Sequence, residues 1–520
     1  MPKVVTMRGT FVTSAVTVCA AALTLPLLTT PTGAATAPAV RIAPAADMRG
    51  VPGSTRSLPL VPLTGSDRAL GGPSAERGLP PQEVEPFSLV GIVWDNAAAE
   101  LRGQAQVRTR AVGARQWSEW QEVQIHDDDR PDLDSAEGSS GRRRGATAPL
   151  WVGASDAVQV RVRAETVTDR TPEGPAFPVG LRLELVDPGK DPAPEPVRPQ
   201  GQAPAVPASA PAAAPAPVPA AVPARVAEDP AVAVPQALGD EEAATSATNT
   251  LLAPLGATEI PAREKADSGA DVAATGPGDA PVQSPPQDPA TDGAADVDTT
   301  DGDTAEEADQ GSRYVEGGGY IGPRPRIVTR AGWGADESIR ERGFVYTKTV
   351  RAAFVHHTAS GNKYTCSQSA SVIRGIYRYH VQSSGWRDMG YNFLVDKCGT
   401  IYEGRSGGVA KAVMGAHTLG FNSNSMGIAV LGTFGSSTPP TAAVDAVAKL
   451  TAWKLGLFGR NPLGSTSLVS AGGNLFKKGT KVRLKVISGH RDGYATECPG
   501  DLLYKKLGKA RSTAARLQGR

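Results

Sequence analysis

Short runs in which apolar and polar residues alternate mark the first folded region of this chain: Phe87 to Trp94, Gln104 to Arg110, Trp120 to Ile125, Val158 to Arg163 and Leu181 to Val186, separated by turn residues. Alternation with a period of two predicts half-buried strands, and several such runs in succession predict a small all-β, sandwich-like domain of antiparallel strands over 81–188. Before it, 36–80 is rich in Pro, Ala, Gly and Ser without any period and is expected to be a flexible arm. After it, 189–320 is Pro- and Ala-rich, then acidic, and nearly devoid of aromatics. Such a stretch buries too little apolar surface to offset the entropy of ordering, which predicts a long disordered linker, stiffest around Ala205 to Pro223. Beyond 320 the pattern changes again: a β-rich run, Val350 to Val355, is followed by helical segments at Ala442 to Leu457 and from Asp501 onward.

The first 35 residues have the layout of a signal peptide. Lys3 and Arg8 precede an apolar run from Phe11 to Leu28, and small residues around Thr32 to Ala37 offer cleavage sites. The expected location is secreted or at the cell wall, with no membrane association after cleavage. A retained anchor is the competing reading, but the Thr and Ser content of the run and the small residues behind it favour cleavage.

In the β region Trp94, Trp117, Trp120 and Trp151 are either a stacking platform for sugars or core, and core is the commoner fate of aromatics in a small sandwich. Asp127-Asp128-Asp129 lacks the spaced ligands of a calcium loop and is expected to be a solvated turn.

Candidate chemistry is concentrated in the last third. His356 ends the run Phe354-Val355-His356, His417 follows Gly415-Ala416, and His490 and Cys498 bracket the run HRDGYATEC. Imidazole and thiolate are preferred zinc ligands, and a site with three protein ligands leaves a fourth position for a water that the metal acidifies. His490 and Cys498, eight apart, suit the two ends of a loop rather than one helical face, and His356 should lie at a strand end, where α/β folds place their sites. Spacing alone leaves three histidines and one cysteine as candidates.

From Arg326 to about Gly508 the text is long and specific: IVTRAGWGA, FVHHTA, RYHVQSSGWRDMGYNFLVDKCGTIYEGR, GAHTLGFNSNSMGIAVLGTF, GHRD and ECPG. It resembles the peptidoglycan recognition protein and type 2 N-acetylmuramoyl-L-alanine amidase family, which has the fold of phage T7 lysozyme, and it looks like a secreted actinobacterial member. The resemblance implies an α/β domain over 321–520, a mixed central sheet flanked by helices. It places Zn2+ on His356, His490 and Cys498, the catalytic tyrosine on Tyr391, and on Thr496 the position that is threonine or lysine in active relatives. Cleavage of the amide between the muramic acid lactyl group and L-alanine is the implied reaction. A recognition module that binds peptidoglycan without cutting is the alternative, against which Cys498 speaks. His380 and His417 are expected to line or support the substrate groove, and His357 to be structural. No carboxylate base is evident; Glu403 and Asp492 are the nearest, with Asp492 expected to support its loop.

With Cys498 assigned to zinc by the resemblance and Cys19 in the leader, Cys366 and Cys398 remain, and a disulfide between them is expected in an oxidising compartment. Charge adds a further point. The chain sums to +1, yet from Ile321 onward there are 29 basic against 10 acidic residues, so the opposite excess lies upstream, mostly after Ala227. A cationic domain suits a muramyl-peptide substrate in peptidoglycan and anionic wall polymers. No nucleic-acid-binding motif accompanies the charge, and the protein is expected to act as a monomer. One further expectation is that the acidic linker, Glu228 to Asp309, folds back over the groove.

Overall fold

Burial alternates along Gly103–Ala111 and Leu150–Ala164 but is unbroken along Ala352–His357 and Ser425–Val430, and that difference separates two kinds of sheet. The computed structural model describes residues 53–63, 76–125, 129–165, 177–190, 238–276 and 319–520. The segment expected to be a signal peptide lies outside them.

The N-terminal β domain consists of β1 (Ser54–Pro59), β2 (Val61–Pro62), β3 (Glu76–Trp94), β4 (Gly103–Ala111), β5 (Gln121–Val123), β6 (Gly145–Ala146), β7 (Leu150–Ala164) and β8 (Arg182–Asp187). All pairings are antiparallel, in the order β1-β8-β3-β7-β4-β5. The register of β3 against β7 shifts three times, which lets two long strands bend around a core of Phe87, Val90, Ile92, Val107, Val160 and Leu183. The domain therefore begins near residue 53 and not at 81. Ser54–Pro59, in the stretch expected to be a flexible arm, pairs residue for residue with β8, because an edge strand needs partners on one side only and its period-two signal is short.

The C-terminal domain has a seven-stranded mixed sheet. Its elements are α1 (Asp240–Ala247), β9 (Glu259–Ile260), β10 (Ile327–Val328), α2 (Arg330–Trp333), β11 (Ala352–His357), α3 (Ser369–Arg378), β12 (Phe393–Val395), β13 (Ile401–Glu403), β14 (Ser425–Val430), α4 (Thr441–Leu457), β15 (Ser465–Val469), β16 (Lys481–Lys485), β17 (Ile487–Gly489), α5 (Asp501–Tyr504) and α6 (Leu507–Gln518). The sheet runs β17-β11-β14-β12-β13-β10-β9, with β15 and β16 as a separate hairpin. The three central strands β11, β14 and β12 are mutually parallel, and both faces are covered, so every one of their residues is buried, the two histidines that end β11 included. Helices α4 and α6 pack on one face against Val355, Phe393, Val395, Ile428 and Val430. Helix α3 covers the other, with Val372, Ile373 and Ile376 against Leu394, Ala429 and Leu431. Cys366 and Cys398 are disulfide-bonded, tying the start of α3 to the β12–β13 turn.

Part of the region expected to be linker is built into this domain. Ile260 on β9 is fully buried, and Leu252, Ala253 and Ala274 share the main core. Asp271 accepts from Arg263, Arg324 and the Trp453 indole, at 2.8, 2.8 and 2.9 Å. Residues 238–276 carry few apolar side chains of their own, which is why composition suggested a linker; the core they enter is supplied by the amidase-like text far downstream. Among the described residues no helix is long and apolar enough to cross a membrane.

The two domains share a core. Leu89, Val93, Trp151 and Val186 of the β domain are buried in one cluster with Ile373, Ile376, Tyr377 and Tyr379. The Tyr379 hydroxyl donates to the Ile92 and Thr147 carbonyls, and Arg374 Nε donates to the carbonyl of Pro188.

Candidate metal centre and its cover

Alternation along β11 turns Val355 and His357 toward α4 and sends His356 to the opposite face, at the C-terminal end of a central strand. Strand β17 lies parallel beside β11 with Val355 opposite Gly489, so the next residue, His490, comes up beside His356. Their rings are 4.5 Å apart between centroids. After a short 3-10 turn at His490–Asp492, the chain loops back so that the Arg491 N–H donates to the Cys498 carbonyl at 3.1 Å. Cys498 is thereby placed with Sγ 3.8 Å from His356 Nδ1 and 3.4 Å from the His357 backbone N–H.

A fourth group joins these three. Asp129, from the loop after β5 of the other domain, places Oδ1 2.8 Å from His356 Nδ1 and 3.2 Å from His490 Nδ1. One donor atom from each of Asp129, His356, His490 and Cys498 lies within 4.8 Å of all the others. Tetrahedral zinc, with bonds of roughly 2.0 to 2.3 Å, requires donor atoms roughly 3.3 to 3.8 Å apart; the Cys498 to His356 separation of 3.8 Å meets that spacing, and Asp129 Oδ1, now at hydrogen-bonding distance from His356 Nδ1, would have to move back by about half an ångström to share an ion with it. A buried atom left unsatisfied points the same way: His490 Nε2 has no hydrogen-bond partner among the described residues. Burial pushes the His356 imidazole down to about 4 despite the opposing pull of Asp129, leaving it neutral as a ligand must be.

The other sequence candidates fall around this group. Tyr391 is buried, its ring 5.4 Å from that of His356, and its hydroxyl donates to Asp129 Oδ2 at 2.7 Å. Burial and the neighbouring Asp129 carboxylate raise the phenol well above its usual range, so it stays protonated. Thr496 Oγ1 accepts from the Cys498 N–H at 3.1 Å. His417 is fully buried, between Gly415 and Gly427, where a Cβ at either glycine would collide with the ring; its Nδ1 is 3.0 Å from Thr418 Oγ1. His380 stacks on Trp386 with centroids 4.3 Å apart and accepts from the Gly390 N–H. Both histidines support the site from within. His357 accepts from the Phe434 N–H through Nδ1.

Neither carboxylate considered as a base serves the metal group. Glu403 accepts from Asn249 and from the Arg330 N–H, and Asp492 accepts from the Gly489 N–H and the Tyr504 hydroxyl. The functional residue that sequence reasoning missed is Asp129, assigned to a solvated turn. Its acidic run carries no motif, and its partners lie 227 or more residues away in the chain, so no local signal marks it.

The tryptophans divide. Trp94 and Trp151 are buried, whereas Trp117 and Trp120 are half-buried and flanked by guanidinium groups, with Arg161 4.1 Å from the Trp120 ring centroid. The acidic linker does not supply the cover at the groove in the described part: α1 and the segment after it bind Glu403 and Glu337 instead.

Residues 346–501 match the N-acetylmuramoyl-L-alanine amidase family, and residues 44–204 match a family described as Rv3811 N-terminal galactose-binding domain-like. Peptidoglycan-recognition protein SC1a of Drosophila melanogaster is 30% identical over 200 residues, covering 38% of this chain and 88% of the relative. A human N-acetylmuramoyl-L-alanine amidase is 31% identical over 185 residues, covering 35% of this chain and 28% of its own length. The crystal structure of Drosophila peptidoglycan recognition protein SD aligns with 26% identity and a TM-score of 0.27, over 35% of this chain and 93% of that one. With its amidase text, its mixed sheet and a relative matched over nearly its full length, the chain belongs to the peptidoglycan recognition protein and N-acetylmuramoyl-L-alanine amidase family.

Proposed function

We propose that the protein is an exported, zinc-dependent N-acetylmuramoyl-L-alanine amidase that hydrolyses the bond between the muramic acid lactyl group and L-alanine in peptidoglycan. The observation that carries this reading is the convergence of His356, His490 and Cys498 on one point beside a buried, protonated phenol. Bound zinc would acidify a water and polarise the scissile carbonyl. His356 and His490 would hold the metal through Nδ1 and Cys498 through Sγ, the last favoured as thiolate by the His357 N–H directed at it. Tyr391 donates to the Asp129 carboxylate beside this point and, once that acceptor is displaced, is the group that would stabilise a developing oxyanion. Thr496 uses its oxygen to hold the Cys498 backbone, which leaves its own proton available as a donor to substrate. The leader supports export, and the excess of basic residues after Ile321 supports attraction to an anionic wall.

The test is digestion of purified peptidoglycan by the full chain and by the same chain carrying Asp129→Ala, following newly freed L-alanine amino groups. Release is expected to stop with a chelator, return with zinc and be absent when Cys498→Ala is added. Binding to insoluble wall without release by either chain would move the reading to a recognition module.

A further inference from the structure

Asp129 begins a loop, residues 129–144, that leaves the β domain and lies across the metal centre of the other. Asp132 Oδ1 accepts from the Gly420 N–H at 2.6 Å and from Asn422 Nδ2 at 2.9 Å. Asn422 Nδ2 also donates to the Arg130 carbonyl, and Arg130 itself donates to the Tyr494 hydroxyl. Glu137 binds Arg405 through both carboxylate oxygens, at 2.8 and 3.0 Å, and accepts from the Arg387 N–H. Lys478 pairs with Asp134, and the Arg144 N–H donates to the Ser384 carbonyl. Gly385, with φ +75°, receives the Arg142 carbonyl so closely that any Cβ there would collide with it.

These contacts have three properties of a built-in cover. The loop is pinned by ion pairs of both senses, Asp134 with Lys478 and Glu137 with Arg405 from its acidic residues and Arg142 with Glu341 from its basic ones. It rests on an apolar interface made by Leu89, Val93, Trp151 and Val186, which fixes the β domain against α3. And Asp129 stands within the group formed by His356, His490 and Cys498, with the phenol of Tyr391 hydrogen-bonded to its second oxygen.

We propose that Asp129 is a fourth protein ligand to the metal and that residues 129–144 are an internal plug, so that the intact chain is a latent enzyme whose site opens when this loop withdraws. The inference rests on the amidase reading for the word enzyme, but not for the ligand. A metal held by four side chains has the closed coordination of a structural site, whereas hydrolysis needs one position open to water and substrate. A carboxylate tethered on a docked domain occupies that position at a high effective concentration, and the Tyr391 proton is engaged by the same group. The galactose-binding-like domain thus acts here as a cover for the catalytic domain, through its loop.

The experiment uses the full chain loaded with Co2+ in place of zinc, beside Asp129→Asn, which keeps the shape of the side chain, and Asp129→Ala. Azide is added as a probe of an open coordination position, and loss of metal to a chelator is timed. The wild-type visible spectrum is expected to be insensitive to azide, both variants to respond, and metal to leave the variants at least about tenfold faster. Peptidoglycan cleavage is followed in parallel and is expected to rise at least about tenfold in the variants, as the closed coordination is opened. A wild-type spectrum that responds to azide as the variants do would overturn the proposal. So would variants that keep the metal as tightly and lose cleavage, since Asp129 would then be a general base. If the spectra and metal loss change as expected but no chain cleaves, the fourth ligand stands and the amidase reading fails.

Discussion

Glu137 makes a buried ion pair between the loop and the other domain, and removing it should loosen the loop without touching the candidate metal ligands. Its carboxylate and the Arg405 guanidinium are 7% and 4% exposed and share two hydrogen bonds. In Glu137→Ala the closed form leaves Arg405 buried with only carbonyl partners, those of Met389 and Met414, and leaves the Arg387 N–H without its acceptor. Breaking one side of a buried ion pair costs about 3 to 5 kcal/mol. Once the loop has left, water reaches the guanidinium, so that cost falls mainly on the closed state. Taking the lower figure, at about 1.4 kcal/mol per factor of ten, the opening equilibrium shifts by roughly 100-fold. Hydrogen exchange of peptides covering 129–144 measures this directly, with strands β3 and β7 as an internal reference for global unfolding. Faster exchange confined to the loop, with increased peptidoglycan cleavage, is the expected result. Unchanged exchange in the loop would refute the reasoning, because the pair would then contribute nothing to docking.

Three further outcomes follow from the structure. Replacing Cys366 and Cys398 by Ser removes a cross-link closing 32 residues of sequence, which on the chain-entropy model lowers stability by roughly 3.5 to 4 kcal/mol, checked by denaturant unfolding of both proteins. Asp271→Ala leaves Arg324, which is 2% exposed, without its counter-charge and should destabilise the C-terminal domain by about 3 kcal/mol in the same assay; a neutral result would mean that 238–276 is not part of its cooperative unit. Burial raises the Glu403 carboxyl from 4.5 to about 7, so the folded state holds a proton that the unfolded state has lost between those values. Stability should therefore fall as pH rises from about 4.5 to 7 and level off above, by an amount on the order of 3 kcal/mol, and Glu403→Gln should flatten that part of the profile.

Much of the C-terminal domain was legible because its signals are local or carried by contiguous text. The helix expected at Ala442 to Leu457 is α4, Thr441–Leu457, and the segment from Asp501 is α5 and α6. Strand Ala352–His357 follows from its β-branched and apolar run, and the HRDGYATEC spacing suited a loop with a ligand at each end. Tyr391 and Thr496 stood out only through the family text, since neither spacing nor composition distinguishes them from other tyrosines and threonines.

What the sequence determined by itself is what short-range pattern encodes: alternating strands, a β-rich run leading into His356, the chemistry of imidazole and thiolate, and the division of charge between acidic and basic regions. Only tertiary structure decided three things. The weakly patterned strand Ser54–Pro59 became ordered because β8 offered its free edge, and residues 238–276 became core because Arg324 and Trp453 supplied partners for Asp271. Asp129 became part of the metal group because packing of Leu89 and Val93 against α3 carries a loop of one domain onto the ligands of another. A side chain's affinity for a metal is written in its type, but its distance from the other ligands is set by contacts across hundreds of residues, which no local period records.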